Sequence, residues 1–147
     1  MERARDGEAG EDIVKQAEQL KRLCSRYREA ARACAEDIAR RAAARAEELA
    51  PEGSGPRRGK RLKSSFSSFI EEEGERIAGV ARVENPHAAF VEFGTGRRGA
   101  ATGAGGSYDP DWPGMAAQPY MQPAADEMRE EFRRDMIRRM RKAGKDR

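Results

Sequence analysis

The sequence predicts an α+β domain, in which a small antiparallel β-sheet of three to four strands packs with a long N-terminal helix and a C-terminal amphipathic helix. Apolar and small residues recur every three or four positions over residues 11–50 and again over 123–142, as they do on one face of a helix. Residues 62–93 instead alternate apolar with polar side chains, as strands do. The length of 147 residues favours a single domain.

The first helix is predicted from a stripe that begins at Ile13, passes through Leu20 and Cys24 and reaches Ile38. Pro51 and the glycines behind it end the pattern. Such a helix is nearly 60 Å long at ~1.5 Å per residue. A domain of this size has too little surface to cover it, so we expect part of the helix to bend, break or project onto a neighbour. A coiled coil is the alternative, although Ala and Cys in the stripe favour close packing on a sheet or another helix.

Three strands are predicted, over residues 62–70, 76–83 and 87–93. The acidic run at 71–75 makes the first turn, and Glu84-Asn85-Pro86 makes the second. Because short connections join neighbouring antiparallel strands, residues 62–93 are predicted to form a β-meander.

Residues 94–116 are rich in glycine, have no apolar periodicity and are predicted to form a flexible loop. The helical pattern then resumes over 123–142, with Pro123 at its start and Gly144 past its end.

The predicted core is thin, because alanine supplies much of the 37% of residues that are hydrophobic. A thin core is usually supplemented by disulfides, a metal or neighbouring subunits. Cys24 and Cys34 lie about 15 Å apart on one helix, too far for a disulfide or a shared zinc ion, and we expect two buried free thiols. We therefore expect no metal, no cofactor and stabilisation by self-association. No signal peptide or membrane span is recognisable, which predicts a soluble protein of a reducing cytoplasm without membrane contact.

Catalytic motifs are weak. Residues 94–99 fit G-x-G-x-x-G, but the third glycine opens a segment that cannot form the helix a dinucleotide site needs. His87 and Glu92 fall on opposite faces of the predicted strand, so no catalytic pair is expected. Glu92 has two interpretations: a solvent-facing position, or a buried or interfacial acceptor for backbone amides or an arginine, since an unpaired buried carboxylate is costly.

Positive charge is concentrated in two places, although the net charge is only +3. One cluster holds Arg57, Arg58, Lys60 and Arg61, and the other lies in residues 132–147. Three interpretations stay open: contact with an acidic partner surface, contact with nucleic-acid phosphates, or solvated basic residues that the helix dipole favours.

Two segments together, Glu84–Gly96 (ENPHAAFVEFGTG) and Ala117–Met128 (AQPYMQPAADEM), resemble the tail-component family of HK-type siphophages, which are small neck or tail-completion proteins. The resemblance extends over about residues 10–140. It departs from the family pattern where Arg58-Gly59 replaces Thr-Gly and where His87 replaces a tyrosine. The matching residues are Gly59, Leu62, Ser65, Ala89, Phe90, Val91, Glu92, Phe93, Gly94, Thr95, Pro119, Tyr120, Met121, Pro123 and Ala124.

The resemblance implies a structural virion protein and not an enzyme: a hexameric ring at the head–tail neck, made in the host cytoplasm, with tail-tube and head-completion proteins as partners and genomic DNA in its lumen. Whether it is a tail terminator or a head–tail connector stays open. We expect residues 96–116 to order on assembly, and we expect Arg57, Arg58, Lys60 and Arg61 to face a partner or DNA. The predicted interface residues are Glu92, Phe93, Gly94, Thr95, Tyr108, Trp112, Pro119, Tyr120 and Met121. A basic nucleic-acid-binding accessory protein is the alternative function.

Overall fold

The computed structural model describes residues 2–52, 62–96 and 113–145, with side chains from residue 10 onward. Its elements are helix α1 (Glu2–Leu49), a 3-10 turn (Leu62–Ser64), strands β1 (Phe66–Glu73) and β2 (Arg76–Val83), short helix α2 (Ala88–Phe93) and helix α3 (Met121–Lys145). The predicted α+β class is confirmed. The sheet, however, has two antiparallel strands among the described residues, and not three or four.

The first predicted strand is displaced along the chain. Leu62–Ser64 forms a 3-10 turn, and β1 continues through the acidic residues to Glu73, which pairs with Arg76. The connecting turn is short and is centred on Gly74, whose φ of 58° is accessible to glycine at little cost. Glu72 accounts for part of this extension, because its carboxylate accepts hydrogen bonds from Arg28 (3.0 Å) and Arg32 (2.8 Å) of α1.

The predicted third strand is wrong, because residues 88–93 form helix α2. The Asn85 side chain accepts a hydrogen bond from the His87 amide (2.9 Å) and turns the chain into the helix. Ala88 and Glu92 are buried, and their spacing of four residues is helical. Six residues are too few for periodicity to distinguish a helix from a strand.

Helix α3 packs antiparallel on the C-terminal half of α1. Their contact runs from Arg45–Glu127 (2.6 Å), through Arg41–Glu131, to Asp37–Arg139 (3.3 Å). The helix begins at Met121, two residues before the predicted start, and Gly144 lies inside it and not past its end. Gly144 lies against the end of the Tyr27 side chain of α1, because an added Cβ would stand 2.7 Å from the Tyr27 hydroxyl.

The core is built largely from alanine. Among the described residues, the buried apolar side chains are eight alanines together with Cys34, Ile38, Tyr120 and Met128. The hairpin lies so close to α1 that a Cβ on Gly79 would be 2.2 Å from the Ala35 carbonyl oxygen. Small residues thus allow close backbone approach, but they bury little apolar area per residue.

The N-terminal part of α1 projects beyond the elements that pack on it. All side chains from residue 10 to residue 26 are exposed, apart from the half-buried Leu23 and Arg26. Ile13 is 67% exposed and Leu20 is 62% exposed, although both belong to the apolar stripe. Cys24 is exposed while Cys34 is buried, so the expectation of two buried thiols is wrong for Cys24. Burial raises the pKa of the Cys34 thiol.

Candidate functional site

The most distinctive site is the junction where α2 meets the start of α3, and it is organised by the carboxylate of Glu92. Glu92 Oε2 accepts hydrogen bonds from the amides of Tyr120 (2.7 Å) and Met121 (3.0 Å), and Oε1 accepts one from the amide of Gln122 (2.9 Å). These are amides at the first turn of α3, which have no acceptor within their own helix. Glu92 therefore caps α3 from a distant element.

The cap explains why a carboxylate is tolerated at a position that is only 7% exposed. Three charge-assisted hydrogen bonds and the positive end of the helix dipole compensate for its desolvation. Of the two interpretations of Glu92, the buried acceptor for backbone amides is the one seen in the structure. Pro123 fits the same arrangement, because a residue in the first turn loses no helical hydrogen bond when it lacks an N–H.

Tyr120 fills the centre of the junction. Its side chain is fully buried, its hydroxyl donates a hydrogen bond to the Ala88 carbonyl (3.2 Å), and its ring meets Phe66 edge to face with centroids 5.7 Å apart. Burial, with a smaller contribution from the negative charge of Glu92, raises the pKa of Tyr120 to about 12. The phenol thus stays a neutral donor and ties α2 to the start of α3.

A short backbone clamp joins the two ends of the glycine-rich segment. The Thr95 amide donates to the Met115 carbonyl (2.8 Å), and the Met115 amide donates to the Thr95 carbonyl (3.1 Å) and to Thr95 Oγ1 (3.1 Å). Gly94 (φ 70°) and Gly114 (φ 77°) flank it, and a Cβ on Gly114 would lie 1.9 Å from the Thr95 carbonyl oxygen. Both glycines are therefore required by backbone conformation and by space.

The structure brings the two segments of the sequence pattern together. Besides the Glu92 cap, the Gln118 amide donates to the Val91 carbonyl (2.8 Å). Glu92, Gly94, Thr95 and Tyr120 are buried within the chain itself, where they hold the junction together. A direct role of these four in an interface between subunits stays a prediction.

The remaining predicted interface residues differ in accessibility. Phe93 is 55% exposed, Pro119 is exposed and Met121 is half-buried. Tyr108 and Trp112 lie outside the described residues, as do the basic candidates Arg57, Arg58, Lys60 and Arg61. Phe93 and Pro119 are therefore the predicted residues that the described fold presents at its surface beside the junction.

Sequence reasoning missed two features. The first is a set of ion pairs that bind α1 to the rest of the chain, among them Glu72 with Arg28 and Arg32, and Glu127 with Arg45. These arginines lower the pKa values of the Glu72 and Glu127 carboxyls. The second feature is an apolar groove of about 520 Å³ between α1, β2 and α3. The groove could have been inferred from the alanines that recur every three or four residues along α1, because such small side chains leave space on one face of the helix.

A basic face covers the C-terminal half of α3. Exposed Arg134, Arg141, Lys142 and Lys145 surround Ile137, and these four cations form no ion pair within the described part of the chain. This face contains four of the eight basic residues in the second basic cluster of the sequence.

The hydrogen bonds of the junction join α2 to the start of α3. Both oxygens of Glu92 are occupied by amides of α3, and His87 is exposed at the start of α2. In the described ranges no group of three or more His, Cys, Asp or Glu side chains is placed to hold a metal ion. No described helix combines the length and apolarity needed to cross a membrane.

Comparison with known proteins gives one family. A family model named HK97-gp10-like, described as "Bacteriophage HK97-gp10, putative tail-component", matches residues 11–94, from the projecting part of α1 to the glycine after α2. Searches of curated proteins and of solved structures gave no significant match. Tail components are structural parts of the phage, which places the chain in the virion. Because the match covers more than half of the sequence, the chain belongs to the HK97-gp10-like family of phage tail components.

Proposed function

We propose that the chain is the subunit of a homo-oligomeric ring, a hexamer, at the head–tail neck, where it completes the tail as a tail terminator or head–tail connector around a DNA channel. Its partners in this proposal are copies of itself, the tail-tube protein and the head-completion proteins. The role is structural and involves no reaction. Family membership supports the role in the tail. The proposal of a ring is based on the apolar residues exposed at the surface of the protomer.

The observation that carries the proposal is the distribution of large apolar side chains. Within residues 10–52, 62–96 and 113–145, eight of the twelve buried apolar residues are alanines, whereas eight larger apolar residues are exposed to 36% or more. These include Ile13, Leu20, Phe93, Phe132 and Ile137, which lie on different faces of the fold. In a closed ring each subunit presents two different patches to its neighbours, so both patches become buried.

The clamp supports a role for the glycine-rich loop. Thr95 and Met115 fix where residues 97–112 leave and re-enter the fold, next to the exposed side chain of Phe93. We propose that this loop, with Tyr108 and Trp112, contacts a neighbouring subunit or the adjacent ring.

The proposal is tested on the purified full-length chain by light scattering and by negative-stain electron microscopy, with a ring around a central hole as the expected result. Phe93→Ser should reduce ring formation without changing the fold, because the side chain is 55% exposed. Phe93→Leu is the matched control, since it keeps an apolar side chain. Labelling of the chain at the tail tip instead of the neck, or an absence of rings in virions, would contradict the proposal.

The basic face of α3 favours a second candidate, a nucleic-acid-binding accessory protein. Four cations without ion-pair partners among the described residues suit phosphate contacts, which need no base readout. A duplex DNA titration over a salt series separates the candidates. Tight binding by the isolated chain with a steep salt dependence, reduced by Lys142→Gln and Lys145→Gln together, favours nucleic-acid binding. Weak binding favours the ring instead, in which the basic face would contact an acidic partner protein or the DNA that passes through the channel.

A further inference from the structure

The projecting part of α1 and the alanine-lined groove are two unpartnered apolar surfaces of the same chain. The projecting surface, here called the stripe, consists of Ile13, Ala17, Leu20 and Cys24, which lie on one face of the helix at spacings of four, three and four. The same face of α1 continues to Ile38, which is buried against α3. The stripe therefore belongs to a packing surface that α3 covers only from about Tyr27, opposite Gly144, onward.

The groove has the complementary shape. Its narrow floor is formed by Ala35, Ala39, Ala42 and Ala46 of α1, three of which are at most 7% exposed, and its walls by β2 and by the side of α3 that carries Ala125 and Phe132, where an incoming side chain would make its contacts. Alanines and Gly79 leave a volume of about 520 Å³ empty, whereas the stripe presents branched side chains that are more than 60% exposed. Ala35 to Ala46 spans eleven residues, or about 17 Å, and Ile13 to Cys24 spans the same length.

Charge indicates the direction in which a helix would enter. Residues 2–12 of α1 contain five acidic and two basic residues, whereas residues 133–145 of α3 contain seven basic residues and one acidic residue. The favourable arrangement places the start of an incoming α1 toward the C-terminal end of α3. The incoming α1 then runs parallel to the α1 of the subunit that it joins. Ile13 of the incoming helix lies beside Ala35 of the other, which is a displacement of about 22 residues.

We propose that the stripe of one subunit docks in the groove of the next, as a head-to-tail contact between copies of this chain. A parallel, displaced pair of helices uses different surfaces on the two partners, which is a heterologous contact that closes into a ring or continues as a filament. The inference rests on the proposed ring function and adds the two surfaces that build the ring.

Two variants test the contact. Leu20→Glu places a charge on the stripe and Ala125→Glu places one in the groove, and both positions are exposed, so the subunits remain folded. Each variant alone should elute as a monomer in size-exclusion chromatography with light-scattering detection. An equal mixture should give a species of twice the chain mass, because one intact stripe meets one intact groove. Gln19→Glu, on the opposite face of α1 from the stripe, and Ala44→Glu, at an exposed α1 position outside the groove, are the matched controls and should assemble like the wild type.

The outcomes distinguish the contact from the ring itself. Wild-type rings together with normal assembly of either variant would overturn the docking and leave the ring proposal in place. Normal assembly of Ala125→Glu with loss of assembly in Leu20→Glu would instead indicate symmetric pairing of two stripes. A mixture that stays monomeric also overturns the head-to-tail contact. A wild-type chain that is monomeric both in solution and in particles would remove the ring and the contact together.

Discussion

Replacing Glu92 by glutamine tests the cap at the start of α3. The glutamine side chain has nearly the same shape, but one of its terminal groups is an NH₂ donor. If the glutamine oxygen takes the place of Oε2, it keeps the hydrogen bonds from the Tyr120 and Met121 amides. The NH₂ group then faces the Gln122 amide, which in the wild type donates its hydrogen bond to Oε1. A buried donor without an acceptor costs about 1–3 kcal/mol, and the lost helix-dipole interaction is worth up to about 2 kcal/mol.

We therefore expect Glu92→Gln to lower the free energy of unfolding by about 3 kcal/mol, and Glu92→Ala by about 3–5 kcal/mol because it also leaves a cavity. The measurement is urea denaturation followed by circular dichroism, at a protein concentration low enough to keep the chain monomeric. Hydrogen exchange should show faster loss of protection at the amides of Tyr120, Met121 and Gln122. The control is Glu47→Gln, an exposed position on α1, which should change stability by less than about 0.5 kcal/mol. A Glu92→Gln free energy of unfolding within that margin of the wild type would refute the cap.

Three further predictions concern packing, pH and the loop. Gly79→Ala should destabilise the fold by about 1–3 kcal/mol in the same urea assay, because its Cβ would meet the Ala35 carbonyl at 2.2 Å; an unchanged unfolding midpoint would show that hairpin and helix do not touch there. Glu72 and Glu127 have lowered pKa values because arginines of α1 donate hydrogen bonds to them, so their stabilisation is complete above the unfolded value near 4.5 and is lost as the pH falls through the lower folded values. Thermal unfolding at pH 3–7 should show this loss, and replacing both residues by glutamine should reduce the slope below pH 4.5, whereas an unaltered slope would contradict the ion pairs. Trp112 is the single tryptophan, so ring formation should shift its fluorescence to shorter wavelength and protect it from acrylamide, and equal quenching in monomer and ring would argue against insertion of the loop.

The two long helices could be predicted from the sequence because their periodic patterns are long. Over residues 11–50 many positions repeat the spacing of one helix face, so a few exceptions do not hide it. The hairpin was predictable from β2, although β1 extends into acidic residues that pair with Arg76 and with arginines of α1. Those pairings depend on tertiary contacts that a local pattern does not contain.

The short helix α2 illustrates the limit of local reasoning. Residues 87–93 form a short, mostly apolar run of strand-like length, yet Ala88 and Glu92 have the spacing of a helix face. The choice is made by the Asn85 turn before the segment and by the cap that Glu92 forms with α3. A buried acceptor role for Glu92 could be inferred from the cost of burying a charge, but its partners lie 28–30 residues away and could not be identified. The clamp at Thr95 and Met115 joins residues that share no periodic signal.

The clamp also bears on how the protein can vary. Because Thr95 and Met115 close a pair of backbone hydrogen bonds, the two ends of the stretch between them are held together by the backbone of the described residues. A change in the length or composition of that stretch is therefore expected to leave the described scaffold in place. For protein engineering, the same position is suited to grafting a foreign epitope or a reporter tag.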